Sequence, residues 1–188
     1  NMSNKDCSSL SNGLKFLKEL KVLNLSFNSL NDNNIQKLTF NSYNKIEVLN
    51  LKSNSITEQS LEIFKDELSK LKSLKELNIM ENQLGDQGFV HLLQAFISLN
   101  ELRILNVSNC NISNSGVRKI CEKIKTNENY LNRLETLNFS GNVINDECIN
   151  NFIFIIKNLV SLRKCAIAQT QMTKKGLIKV CDILKTQV

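Results

Sequence analysis

A single histidine, no tryptophan, no proline and an aromatic content of 6% mark this 188-residue chain by what it lacks. One histidine leaves little room for nucleophile–base catalysis, which sets an imidazole beside a Ser or Cys. No run of 18 apolar residues occurs, so no membrane-spanning helix is expected. Asn1 to Leu10 is polar and lacks the apolar stretch of a signal peptide. Neither a Gly-x-x-x-x-Gly-Lys loop nor a Gly-x-Gly-x-x-Gly loop is found, so no nucleotide cofactor is expected. The six cysteines form no Cys-x-x-Cys pair, which argues against zinc.

What is present is globular in composition. Hydrophobic residues make up 41% and charged residues 22%, too apolar for a disordered chain. Leucine and asparagine dominate with 28 copies each. So much Leu with so few aromatics points to a core of many small equivalent layers. The order of the residues shows the same. Leu20, Leu23, Leu25, Asn28 and Leu30 return as Ile46, Leu49, Leu51, Asn54 and Ile56, and again as Leu74, Leu77, Ile79, Asn82 and Leu84. Leu102, Leu105, Val107, Cys110 and Ile112 follow, then Leu134, Leu137, Phe139, Asn142 and Ile144, and last Leu162, Cys165, Ile167, Thr170 and Met172. The starts lie 26, 28, 28, 32 and 28 residues apart.

This five-position template resembles the leucine-rich repeat, L-x-x-L-x-L-x-x-N/C-x-L, over almost the whole chain. A period near 28 leaves room for a full helix in each unit, as in the ribonuclease-inhibitor-like class. The second half of each unit agrees with that. Phe89, Leu92, Leu93, Phe96 and Leu99 form one helical face, as do Leu61, Phe64, Leu68 and Leu71. Equivalent faces are Val117, Ile120, Cys121, Ile124; Ile149, Phe152, Ile153, Ile156, Leu159; and Leu177, Val180, Cys181, Leu184. The resemblance implies an α/β fold, a right-handed solenoid bent into a horseshoe arc, with a parallel inner β-sheet and outer α-helices. Strands are expected near residues 23–25, 49–51, 77–79, 105–107, 137–139 and 165–167. The 26-residue unit should carry a short helix, and the 32-residue unit a longer loop near Asn127 to Asn132. Residues 1–19 read as a partial repeat or an N-terminal helix, and the 188 residues as one domain belonging to a longer array.

In this class the concave sheet face usually binds a protein partner. Residues between the core positions of each strand should stand there. Val22, Phe27, Val48, Met80 and Ile104 place apolar groups on that face, a common mark of a contact site. Asn50, Asn78 and Asn106, with Asn24 and Asn138, stack as a column. One reading makes this a row of donors and acceptors for a partner; the favoured one makes it an amide ladder bonded to itself. The expected activity is thus that of a non-enzymatic scaffold. Alternatives are a regulator of a small GTPase and a structural spacer within a larger protein. Ran GTPase-activating proteins share the repeat class, and an arginine-finger-like residue would lie in the strand-to-helix loops. The loops here, 29–34, 55–60, 83–88, 111–116, 143–148 and 171–176, contain no Arg.

The cysteines, Cys7, Cys110, Cys121, Cys148, Cys165 and Cys181, occupy helix-face, turn or strand-core positions. That suits buried free thiols in a reducing, cytoplasmic setting. Asn-x-Ser sequons at Asn1, Asn24, Asn106, Asn111 and Asn138 follow largely from the strand motif and say little about secretion. His91, beside core Leu92, reads as a solvated helix residue. Charge is uneven. Residues 157–188 hold seven basic side chains against Asp182 alone, which accounts for the whole formal charge of +6. Lys164, Lys174, Lys175 and Lys179 are therefore a candidate patch for an anionic partner, against the alternative of a solubilising end. No aromatic platform interleaves them, which disfavours nucleic acid.

Overall fold

The computed structural model describes residues 2–41, 44–127 and 129–185, with the backbone alone for 181–185. Asn1 and the side chains of Cys181, Leu184 and Lys185 lie outside the described residues. Along the chain run α1 (Asn4–Leu14), β1 (Val22–Asn24), α2 (Asp32–Ile35), β2 (Val48–Asn50), α3 (Glu58–Ser69), β3 (Glu76–Asn78) and α4 (Gly85–Ala95). After them come β4 (Ile104–Asn106), α5 (Asn114–Thr126), β5 (Thr136–Asn138), α6 (Ile149–Asn158), β6 (Lys164–Ala166) and α7 (Lys174–Lys185). The strands form one six-stranded parallel sheet in the order β1 to β6. They begin one residue before the template predicts. Register follows the template: Leu23 pairs Leu49, Leu49 pairs Leu77, Leu77 pairs Leu105 and Leu105 pairs Leu137.

Each strand is only three residues long. In the first five the central Leu points to the helix side and is buried, as are Leu51, Ile79, Val107 and Phe139 just beyond. The helices bring Phe64, Phe89, Leu92, Ile120 and Phe152 onto the same layer. Phe139 packs edge-to-face against Phe89 and Phe152, with ring centroids 5.5 and 5.8 Å away. No rung has a core of its own, so burial is shared between neighbours. The last unit is the least covered: Cys165, Ile167 and Ile156 are half-buried and Leu177 is exposed.

The turn asparagines tie rung to rung. Asn142 Nδ2 donates to Val107 O and Phe139 O at 2.8 and 2.9 Å, and its Oδ1 accepts from Cys110 N and Ile112 N at 3.1 and 2.9 Å. Asn82 donates to Leu51 O and Ile79 O and accepts from Ile56 N. Asn54 donates to Leu25 O and Leu51 O and accepts from Asn28 N and Leu30 N. The residue before each turn position has left-handed backbone: Phe27, Ser53, Glu81, Asn109, Gly141 and Gln169 have φ of 59, 52, 58, 51, 70 and 53°. Only one of the six is glycine, so the turn imposes this geometry against an ordinary cost of about 1–2 kcal/mol per residue.

A second set of bonds joins helix starts. Asp86, in the first turn of α4, accepts from Ser113 N, Ser113 Oγ and Gly116 N at 2.8, 2.6 and 3.0 Å. Asp32 accepts from Thr57 Oγ1 at 3.0 Å and from Ser60 Oγ. Asp146 accepts from Thr173 N and Oγ1 at 2.8 and 2.5 Å. The incoming helix must lie close. A Cβ on Gly116 would meet Ile112 Cγ2 at 2.5 Å and Asp86 Oδ1 at 2.7 Å.

Both length anomalies resolve as expected. The helix of the 26-residue unit is the four-residue α2. The extra residues of the 32-residue unit form a loop that is packed, not loose: Tyr130 is buried and its hydroxyl donates to Leu93 O at 2.6 Å. Burial pushes that phenol above its ordinary pKa. Cys7, Cys110, Cys121, Cys148 and Cys165 are all free thiols. Burial raises Cys110 to about 12 and Cys148 and Cys165 to about 11.

Two measurements check this construction. Asn142→Ala leaves two buried N–H groups and two carbonyls without their partner; it should lower unfolding stability by about 2–4 kcal/mol, as should Leu105→Ala by about 2–5 kcal/mol. Urea melts that move less than about 1 kcal/mol would deny the asparagine its bridging role. The second concerns acid. The Thr173 hydrogen bonds hold Asp146 below its usual 3.8. Its stabilisation is therefore present above that value and lost as pH falls through the lower folded one. The gap in Tm between the wild type and Asp146→Ala should be constant near neutrality and close below pH 3.8.

Candidate interaction surface

The sheet has one covered and one bare face. Parallel strands lie ~4.8 Å apart, whereas packed helices need ~8–10 Å, so the sheet side is the inner, concave side of the arc. On it the residues flanking each buried Leu stand in register. One column runs Val22, Val48, Glu76, Ile104, Thr136, Lys164, and the next Asn24, Asn50, Asn78, Asn106, Asn138, Ala166. Val22 and Phe27 are 57% and 67% exposed. Val48, Met80 and Ile104 are half-buried, because neighbours stand on either side of them. The structure thus brings the five apolar candidates onto one face over the first four rungs.

The asparagine column works differently from an amide ladder. Each Oδ1 accepts from the backbone N–H two residues on: Asn50 from Lys52 at 3.0 Å, Asn78 from Met80 at 3.2 Å, Asn106 from Ser108 at 3.1 Å. Asn24 and Asn138 do the same with Ser26 and Ser140. The oxygen is spent on bending the chain off its strand, where Asn side chains are well suited to bond locally. Asn106 Nδ2 lies 3.6 Å from Met80 Sδ, a contact across rungs.

One group of charges on this face is paired. Lys52 Nζ lies 3.8 Å from Glu81 and 5.2 Å from the centre of the Phe27 ring, and Ser53 Oγ donates to Glu81. The sequence pattern did not single out this Phe27–Lys52–Glu81 group, although its members lie one or two residues before the turn asparagines of the first three units. The four candidate lysines do not form one patch. Lys164 stands on the bare sheet face, and Lys174, Lys175 and Lys179 on α7, which packs the other side; all four are exposed. Beside Lys164, at the β6 edge, lies a cavity of about 280 Å³ lined by Ile156, Leu162, Cys165, Ile167, Leu177 and Val180, with Arg163 at its rim.

His91 is half-buried rather than solvated, and its Nδ1 is buried without a hydrogen-bond partner. No three His, Cys, Asp or Glu side chains gather as metal ligands among the described residues, and none of the described helices is long and apolar enough to cross a membrane.

Comparison with known proteins agrees with the repeat. The family model described as Leucine Rich repeat matches residues 70–92, 99–121 and 131–147. The chain is 30% identical over 162 residues to mouse (Mus musculus) NACHT, LRR and PYD domains-containing protein 4C, covering 84% of this chain and 16% of that protein. It is 30% identical over 140 residues to mouse ribonuclease inhibitor, covering 72% and 30%, and 28% identical over 144 residues to the pig (Sus scrofa) inhibitor, covering 74% and 31%. It therefore spans less than a third of the length of each of these relatives. Among solved structures, an internalin from Listeria monocytogenes str. 4b F2365 superposes with a TM-score of 0.54 at 21% identity, over 93% of this chain and 48% of that one. The repeated template, the single parallel sheet with a helix behind each described strand, and these relatives together make the chain a leucine-rich-repeat protein of the ribonuclease-inhibitor-like class.

Proposed function

We propose that the chain is a non-enzymatic scaffold that binds a protein partner on its bare concave sheet face. One observation carries this reading: Val22, Val48 and Ile104, with Met80 and Phe27, share one face over the first four rungs, on a surface whose backbone is held rung by rung. A surface already ordered by its own core loses little entropy on binding. Apolar side chains grouped on a sheet face exclude water when a partner covers them. Two relatives are ribonuclease inhibitors, named for their action on another protein. The described cysteines are all unpaired, which suits a reducing compartment, and the cytoplasm is the setting we infer.

A second reading rests on charge. Lys174, Lys175 and Lys179 belong to the stretch that holds the whole net charge, and could meet an anionic partner. Two variant sets separate the readings. Val48→Asp and Met80→Asp should weaken a partner recovered by cross-linking by about 30-fold or more, since an unpaired charge then enters an apolar contact. Both should leave Tm within a few degrees, because these side chains point away from the core. Reversing Lys174, Lys175 and Lys179 to Glu should change affinity less than about threefold. Isothermal titration at two salt concentrations makes the comparison. Loss with the lysine set, steep salt dependence and no effect of Val48→Asp would transfer the function to α7.

A further inference from the structure

Glu76 interrupts the apolar column of the concave face. Strand pairing sets it directly between Val48 and Ile104, and strand alternation puts Met80 on its own side. Its side chain is half-buried, and among the described residues no Lys or Arg lies within ion-pair distance of it. The cations nearest in the template are committed elsewhere. Lys75 Nζ lies 2.7 Å from Glu47, Arg103 lies 2.9 Å from Glu135, and Lys52 is shared between Glu81 and the Phe27 ring. Glu76 therefore faces the bare side as an uncompensated carboxylate with hydrocarbon on both flanks.

Covering Val48 and Ile104 necessarily removes water from Glu76. A carboxylate desolvated without a counter-charge is strongly unfavourable, so the occupant of these rungs has to bring a cation. Resting on the concave-face reading, we propose that the partner presents an Arg or Lys to Glu76, flanked one step away on each side by apolar side chains that meet Val48 and Ile104. The spacing selects the form of the partner. Rungs repeat every ~4.8 Å, close to the 5.4 Å pitch of an α-helix, whereas same-side residues of an extended chain are ~6.6 Å apart. A helix laid across the strands thus keeps an apolar–basic–apolar stripe at i, i+4 and i+7 over three successive rungs, and an extended segment drifts out of step. Arg fits better than Lys because its planar fork bonds both carboxylate oxygens.

A phage-displayed library of one scaffolded helix with a randomised face provides the probe. It is selected in parallel on the wild-type chain, Glu76→Gln, Glu76→Lys and Val48→Asp, each shown by its melting curve to be folded. Wild-type selection should enrich Arg or Lys between two apolar positions at least tenfold over selection on Glu76→Gln. Those binders should lose 30-fold or more on Glu76→Lys, which should itself enrich Asp or Glu at the central position. A stripe without a basic preference, or wild-type binders unaffected by Glu76→Lys, overturns the role of Glu76. If such binders still fail on Val48→Asp, the concave face survives as the binding surface and Glu76 alone is dismissed. If Val48→Asp is also without effect, or the wild-type chain enriches no helix, both fall.

Discussion

The asparagine in the turn that follows four of the six strands is the constraint on which the solenoid depends. Stacking rungs at strand spacing buries the turn that carries the chain from sheet to helix, and that turn has backbone groups with no partner in any ladder. Asn54, Asn82 and Asn142 supply both a donor and an acceptor there, bonding their own turn and the neighbouring one. Where the residue changes, the bonding thins. Cys110 Sγ meets the carbonyls of Ile79 and Ser108 only at 3.3 and 3.4 Å, and among the described residues the Thr170 hydroxyl bonds Ile167 O alone. A thiol is a weak donor, and a hydroxyl carries one proton where the amide carries two. The thinner bonding at Thr170 coincides with the half-buried Cys165 and Ile167 of the last rung.

Hydrophobic burial then has a fixed frame to fill. Three-residue strands could slip against one another were they held only by their own pairing. The turn asparagines and, four residues after the turn position, the Asp32, Asp86 and Asp146 carboxylates tie neighbouring units along the strand-to-helix segment. The fit at helix starts explains small residues there. Gly88, Gly116 and Gly176 share one position, filled in the second unit by Ser60, which is buried and bonded to Asp32. Insertions are absorbed on the helix side, as in the Tyr130 loop, so the sheet register passes through them unbroken.

That division of labour bears on function. Core, turns and helix starts consume the conserved geometry of the repeat, and the positions facing the bare side are left to vary. Even the asparagine column turns out to belong to the frame, because its oxygens hold the strand exits. Variation that could distinguish one partner from another is concentrated in the adjoining columns, where Val48, Glu76 and Ile104 stand together and Lys52 is balanced between Phe27 and Glu81. The basic last unit is a separate feature, split between the two faces of the sheet.

The sequence alone determined the number of rungs, their register, the inward Leu of the first five strands, the short α2 and the loop before β5. These follow from a local pattern of burial and turn chemistry repeated at a nearly constant interval, and the repetition makes each copy a check on the others. The same text did not tell that Asn50 and Asn78 bend their own strands, that Tyr130 caps Leu93, that His91 is half-buried, or that Lys164 and Lys174 stand on different faces. Nor did it distinguish Glu47, held below the ordinary carboxylate range by Lys75 and Lys21, from Glu76, which no cation reaches among the described residues. Only the tertiary structure decided these, because each depends on which side chains from neighbouring units, some 28 residues away, arrive within hydrogen-bond or ion-pair distance. A periodic core fixes the rungs, but the pairing of charges across them is settled by geometry a few ångströms wide.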